Sequence, residues 1–236
     1  MRFLAGFLVV WAVLSGAAAL DPTGRTGAVI LLAVLGAAVG VERVLFGTPP
    51  RVALRRLGLT RPDVRVTAVA GLVSVALLLV FPLFTAATGA PVPLRSDWLW
   101  LLPGVFALHG LAEEVVWRGY VFRRLRQQRS FRSGVVATMP FVAVAHVPIV
   151  IASGWWVGGA ALVVAAVTTP TLSALFEAGR NSVWPPALVH AAIDAFKLVE
   201  IPAETVVFSL FVAAAALVVP PAALTVRRRP ARAVTG

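Results

Sequence analysis

Apolar runs of about 17 to 25 residues, interrupted by clusters of proline, glycine and arginine, recur along nearly the whole chain, each long enough for a ~30 Å hydrocarbon core at ~1.5 Å per residue. Punctuating at those breaks predicts eight helical spans, at about 3–20, 28–46, 66–89, 98–122, 135–151, 156–176, 185–201 and 204–226. No stretch is left for a soluble domain, so the expected fold is an all-α polytopic helix bundle forming a single integral membrane domain over 1–236. The loop 47–65 mixes Val52, Leu54, Leu57 and Leu59 with arginines, the pattern of a short interfacial helix. No internal repeat or low-complexity linker is visible.

Composition agrees with a membrane class. The 236 residues are 59% hydrophobic and 13% charged, with a mean hydropathy of +0.91, unlike a soluble domain of this length. The net charge of +11 does not point to nucleic acid, because the basic residues gather at span ends and short loops. Five arginines lie in 47–65, five in 123–134 and four in the tail 227–236. With an even span count and a cytoplasmic N-terminus, Arg2 and Arg180 join them, giving sixteen basic residues inside against Arg25 and Arg95 outside. That asymmetry predicts cytoplasmic N- and C-termini. Twenty arginines against one lysine, with abundant Ala, Val and Gly, is the composition of a GC-rich bacterial genome, so the expected location is a bacterial cell membrane. Residues 1–20 also fit a signal peptide, with a basic start, an apolar core and small residues at 17–19. Its removal leaves the orientation of the later spans unchanged. The absence of cysteine excludes disulfides, thiolate ligands and a cysteine nucleophile.

Ionisable groups then appear where they are most costly. The fourth span carries His109, Glu113, Glu114 and Arg118, the fifth His146, and the seventh His190, Asp194 and Lys197. Such groups cost ~2.5–3.5 kcal/mol each near a bilayer midplane unless a partner or a wet cavity receives them. Glu114 and Arg118 are four apart and share a helix face, the spacing of an ion pair; Glu113 points about 100° away, with His109 one turn before it. His190 and Asp194 are also four apart, so the carboxyl is placed to fix the imidazole tautomer. Measured from the predicted cytoplasmic span ends, Glu113, His146, His190 and Asp194 lie about 14, 17, 8 and 14 Å deep, in one slab. Pro140 and Pro148 flank His146 and predict a kink there. Glu42 and Arg43, at a span end, are expected to snorkel, and Trp98, Trp100, Trp155, Trp156 and Trp184 to anchor at interfaces.

A carboxylate and an imidazole around a buried water make a general base, and a second imidazole can stabilise an oxyanion, so hydrolysis is the natural reaction. No G-x-S-x-G elbow offers a serine nucleophile. Zinc held by Glu113, His146 and His190 is a second possibility, although no H-E-x-x-H motif is present. A non-catalytic immunity or scaffold protein whose polar cluster binds a partner fits the same residues, as does a proton-relay transporter, against which stands the absence of paired repeats.

At these residues the chain resembles the CAAX prenyl protease and bacteriocin-processing (CPBP, Abi) family of intramembrane glutamic endopeptidases, over roughly 95–200. The E-E-x-x-x-R motif stands at Glu113, Glu114 and Arg118; F-x-x-x-H is met at His146, with Val142 four before it and the phenylalanine displaced to Phe141; H-x-x-x-N is met at His190, with Asp194 in place of asparagine. The resemblance implies a metal-free, cofactor-free endopeptidase acting on membrane-associated or hydrophobic peptides. In it Glu113 and His146 activate water, His190 and position 194 stabilise the oxyanion, and Glu114 and Arg118 support the helix. Asp194 departs from that pattern, because an ionised carboxylate cannot donate as an amide does. It is protonated, reached through water, or confined to orienting His190.

Overall fold

The computed structural model describes residues 1–21 and 23–228, and the tail arginines beyond 228 lie outside them. It is a helix bundle, and among the described residues the only β pairing is an isolated bridge between Leu94 and Val199. Seven described stretches are long and apolar enough to cross a membrane: Arg2–Leu20, Gly27–Phe46, Val64–Thr88, Trp98–Arg126, Phe131–Ile151, Gly154–Ala178 and Thr205–Leu224. We call the first two α1 and α2. The third comprises α4 (Val64–Leu78) and α5 (Val80–Thr88), preceded by the short α3 (Pro50–Arg56) in the arginine-rich loop, where a short helix is expected. Pro50 opens α3, and Asp63 caps α4 by accepting from the Arg65 and Val66 amides at 3.0 and 3.1 Å.

The seventh predicted span, 185–201, takes a different form. Helix α9 (Trp184–Ile193) is only 10 residues long and passes into a 3-10 turn, Asp194–Leu198. The segment still joins the two ends of the bundle. Val183 N donates to Gly58 O at one end and Arg95 N to Leu198 O at the other, both at 3.0 Å. The 3-10 turn rises ~2.0 Å per residue against ~1.5 Å in an α-helix, which extends a short segment across the bundle.

The fourth span lies at the centre. It begins as α6 (Trp98–Val105), continues through two π-helical segments, Phe106–Ala112 and Val115–Phe122, and ends as α7 (Arg123–Arg126). Buried residues make up 61% of its apolar window, against 22–44% in the other spans, so its charged side chains face protein and not lipid. Leu108, Leu111, Val115 and Val121 pack there with Val10, Ile30, Val34 and Ala38 of α1 and α2. Leu32, Leu72 and Val206, by contrast, are largely exposed, as expected of lipid-facing positions.

Helix α8 (Phe131–Ala178) contains the fifth and sixth spans, separated at Gly154, whose φ of 78° is in the left-handed region that favours glycine. The chain reverses there so tightly that a Cβ on Gly158 would stand 2.7 Å from the Val150 nitrogen. Trp155 and Trp156 at this corner are 84% and 91% exposed, and Trp100 80%, as interfacial anchors require, whereas Trp184 stacks on Phe106 with ring centroids 6.5 Å apart.

The arginine-rich segments gather at one end. Arg126 pairs with Glu177 at 2.6 Å, Arg123 donates to the Arg55 and Arg56 carbonyls at 3.0 and 2.6 Å, and Ser182 Oγ donates to Thr60 O at 3.0 Å. The N-terminus joins them through Tyr120, whose hydroxyl donates to Phe3 O at 3.1 Å. Glu42 corrects the sequence expectation. It is 1% exposed and paired with Arg124, so it does not snorkel.

At the opposite end Asp97 receives Arg95 at 3.0 Å and also Arg25. Hydrogen bonding from Arg95, then from Arg25, lowers its pKa from 3.8 to about 2. A lowered folded-state pKa contributes stability above the ordinary carboxylate range that is lost as pH falls through the folded value. Asp97→Asn is therefore expected to lower the melting temperature at neutral pH, with the difference from the parent closing as pH falls from about 4 towards about 2. Thermal unfolding in detergent across that range measures it; a difference independent of pH would refute the pairing.

Candidate active site

Four elements deliver the polar side chains expected from the sequence. Glu113 and Glu114 sit between the two π segments of the fourth span, His146 on the fifth span and His190 on α9. The sixth span closes the site with Thr168 and Thr169. The approach of α9 depends on Gly110, where a Cβ would stand 2.9 Å from the Ala187 carbonyl oxygen and force the helices apart.

The His190 ring is hydrogen-bonded to Glu114 and faces Glu113. Its Nδ1 lies 2.7 Å from Glu114 Oε1, and its Nε2 3.6 Å from Glu113 Oε2. An ionised carboxylate only accepts, so Nδ1–H donates to Glu114 and Nε2 is the nitrogen presented to Glu113. Arg118 Nη1 donates to the same Glu114 oxygen at 2.8 Å, and both side chains are almost fully buried. The expected Glu114–Arg118 ion pair is thus present, and it also orients His190.

One further expectation is corrected here. Asp194 does not hold His190: its Oδ2 is 3.6 Å from Nε2, beyond hydrogen-bonding distance. The i,i+4 relation itself is kept, since the Asp194 amide bonds back to the His190 carbonyl, but His190 Nδ1–H is already given to Glu114, and Asp194 faces only Nε2. Glu113 lies outside the Glu114–Arg118 pair, with His109 one turn before it on the same side. His109 Nδ1 donates to its Oε1 at 2.8 Å, and Glu113 and Glu114 address different nitrogens of one ring. Although the flanking segments bond i→i+5, the i,i+4 side-chain contacts His109–Glu113 and Glu114–Arg118 are kept.

His146 Nδ1–H donates to the Val142 carbonyl at 2.8 Å, which leaves Nε2 with the lone pair of the neutral ring. Because the acceptor is backbone, valine serves at that position as well as phenylalanine, while Phe141 packs against Phe3 and Phe7 at 5.3 and 4.9 Å between ring centroids. Glu113, His146 and His190 line one cavity of about 30 Å³, together with Trp117, Arg118 and Thr168. That is room enough to admit a water molecule. Glu114 Oε2 and Arg118 Nε are buried beside it without a partner among the described residues, which makes the surroundings polar enough to hold water. Among the described residues no group of three or more His, Asp and Glu side chains is arranged to hold a metal ion.

From sequence His109 is either a helix-contact histidine or a donor to Glu113 one turn on, and the 2.8 Å contact is the second. Thr168 and Thr169 carried no signal, since they lie in an otherwise apolar span and bond back to the Val164 and Ala165 carbonyls at 2.8 and 2.6 Å. No curated protein matches the chain. Residues 95–196, the stretch containing every acidic and histidine side chain of this cluster, match the family described as type II CAAX prenyl endopeptidase Rce1-like. The chain carries over those residues a domain of the Rce1-like type II CAAX prenyl endopeptidase (CPBP, Abi) family.

Proposed function

We propose that this protein is an intramembrane endopeptidase in which Glu113 and His146 activate a water molecule for direct attack on a peptide carbonyl, and His190 stabilises the oxyanion. The family implies proteolysis in the membrane, and hence protein substrates. The observation that carries the residue assignment is the water-sized cavity shared by Glu113, His146 and His190. Water in it stands against a carboxylate oxygen, Glu113 Oε2, and an imidazole lone pair, His146 Nε2, either of which can take its proton. The hydroxide equivalent adds to the carbonyl carbon, and the protonated His190 ring donates Nε2–H to the oxygen as charge develops. The abstracted proton then passes to the leaving amine as the carbon–nitrogen bond breaks. Glu114 and Arg118 act as positioning residues, fixing the His190 ring through Nδ1.

The basic end of the bundle faces the cytoplasm, by the distribution of arginine, so both termini are cytoplasmic and the substrate is a membrane-associated or hydrophobic polypeptide. Residues 1–236 act as one membrane domain with a catalytic core at about 95–200. The test is hydrolysis of a peptide library by the purified protein in lipid nanodiscs. Cleavage is expected to persist after exhaustive chelation, and activity lost on chelation and restored by zinc would favour the metal reading.

Asp194 is a site of tuning in this scheme. Asp194→Asn replaces an acceptor beside His190 Nε2 with a group able to donate to the oxyanion. The variant is expected to raise kcat about tenfold with KM little changed, since one oxyanion-hole donor contributes ~10²–10³ where its geometry is ideal. Steady-state kinetics decide it; a lower kcat would assign the carboxylate itself a part in the reaction.

A further inference from the structure

A second pocket lies at the basic end of the bundle and shares no lining residue with the catalytic cavity. Its volume is about 470 Å³, within the ~300–1,000 Å³ typical of ligand sites. The C-terminal part of the fourth span contributes Arg123 and Arg124, α3 contributes Arg56, α2 Glu42 and Phe46, and α1 Phe3. Three guanidiniums and one carboxylate leave two formal positive charges in excess. The carboxylate is already engaged, because Glu42 pairs with Arg124.

The arginines are held in place. Arg124 lies over the Tyr120 ring at 3.8 Å and the Phe46 ring at 4.6 Å, and its Nη1 donates to Tyr120 O at 3.1 Å. Arg56 Nη1 donates to Thr48 Oγ1 at 2.9 Å, and Arg123 Nη1 to the Arg55 and Arg56 carbonyls. Each of these bonds uses one or two of the five N–H donors that a guanidinium carries. Like charges fixed this close together favour a bound anion, and planar guanidiniums suit phosphate oxygens. Phe3, Phe46 and Leu125 supply apolar wall beside the cations. A cationic pocket with an apolar flank, opening at the headgroup level of a membrane bundle, matches an amphiphile with a phosphate head better than a freely soluble anion.

We infer that this pocket binds the phosphate group of an anionic glycerophospholipid, with Arg56 and Arg123 as donors and the first methylenes of the acyl chains against Phe3 and Phe46. The inference does not depend on the proposed catalytic chemistry.

The test is native mass spectrometry of the delipidated protein titrated with short-chain phosphatidylglycerol, short-chain phosphatidylcholine and inorganic phosphate. One phosphatidylglycerol is expected to be retained saturably, phosphatidylcholine at least tenfold more weakly, and the Arg56→Gln/Arg123→Gln variant to lose at least tenfold in phosphatidylglycerol affinity. Equal retention of the two lipids, or undiminished binding by the variant, overturns the site. Inorganic phosphate binding as tightly as phosphatidylglycerol overturns the lipid assignment in favour of a free-phosphate site. Should the double variant fail to fold, Arg56→Gln alone and the lipid comparison on the parent protein decide the matter.

Discussion

Glu113→Gln is expected to lower kcat/KM by about 10²–10⁴-fold, the usual contribution of a general base, while leaving the melting temperature nearly unchanged. The separation of effects follows from the environment. The Glu113 side chain is 21% exposed and receives one hydrogen bond, from His109, which a glutamine carbonyl accepts equally well. What the amide cannot do is take a proton from water, the step proposed for Glu113. His146→Ala is expected to cost a similar factor, and the double variant little more than either single one, because two groups acting on one water are strongly non-additive. Peptide hydrolysis in nanodiscs, with thermal unfolding measured in parallel, provides both readouts. Retention of more than about a third of the parental rate by Glu113→Gln would remove it from the role of base. A parent protein that binds polypeptide without cleaving it would instead support a scaffold role.

The second large effect is on stability. Arg118→Met is expected to destabilise the fold by about 3–5 kcal/mol, the cost of removing one member of a buried ion pair. Glu114 is completely buried, Arg118 is 2% exposed, and Glu114 Oε2 has no partner among the described residues. The lost guanidinium thus leaves a buried carboxylate with His190 as its remaining hydrogen-bond partner. The Glu114→Leu/Arg118→Met pair is expected to recover most of the stability, since replacing both charges removes the desolvation cost together with the attraction. Its activity should nonetheless remain down by about 10²-fold or more, because the His190 ring is no longer oriented through Nδ1. Recovery of stability and activity together would reduce Glu114 to a purely structural residue. Failure of the pair to recover stability would point instead to packing around the π-helical turns.

How much of the site was legible beforehand varies by residue. The motif residues Glu113, His146 and His190 were identified by the cost of burying charge and by their similar depth, and they meet at one cavity. The Glu114–Arg118 pair followed from i,i+4 spacing. At Asp194 the same rule placed the carboxyl near His190, but the ring gives its Nδ1–H to Glu114, 76 positions away, and not to Asp194. Position along the span misled at Glu42, which is near a span end in sequence yet lies beneath Arg124, a residue 82 positions away. Neither of these long-range pairs, His190 with Glu114 and Arg124 with Glu42, has a local signature.

The sequence by itself determined the membrane class, the positions of the long spans and which of their side chains were too costly to face lipid. These are properties of composition and of runs of about 20 residues, on which the bilayer acts one segment at a time. Only the tertiary structure decided who partners whom. The packing of α9 against the fourth span brings Glu113 and Glu114 to His190, α9 and its 3-10 turn join the two ends of the bundle, and the arginines of separate segments meet around one pocket. Such arrangements depend on how helices cross and how closely their backbones approach, as at Gly110 against Ala187, and they are set by the packing of the whole bundle.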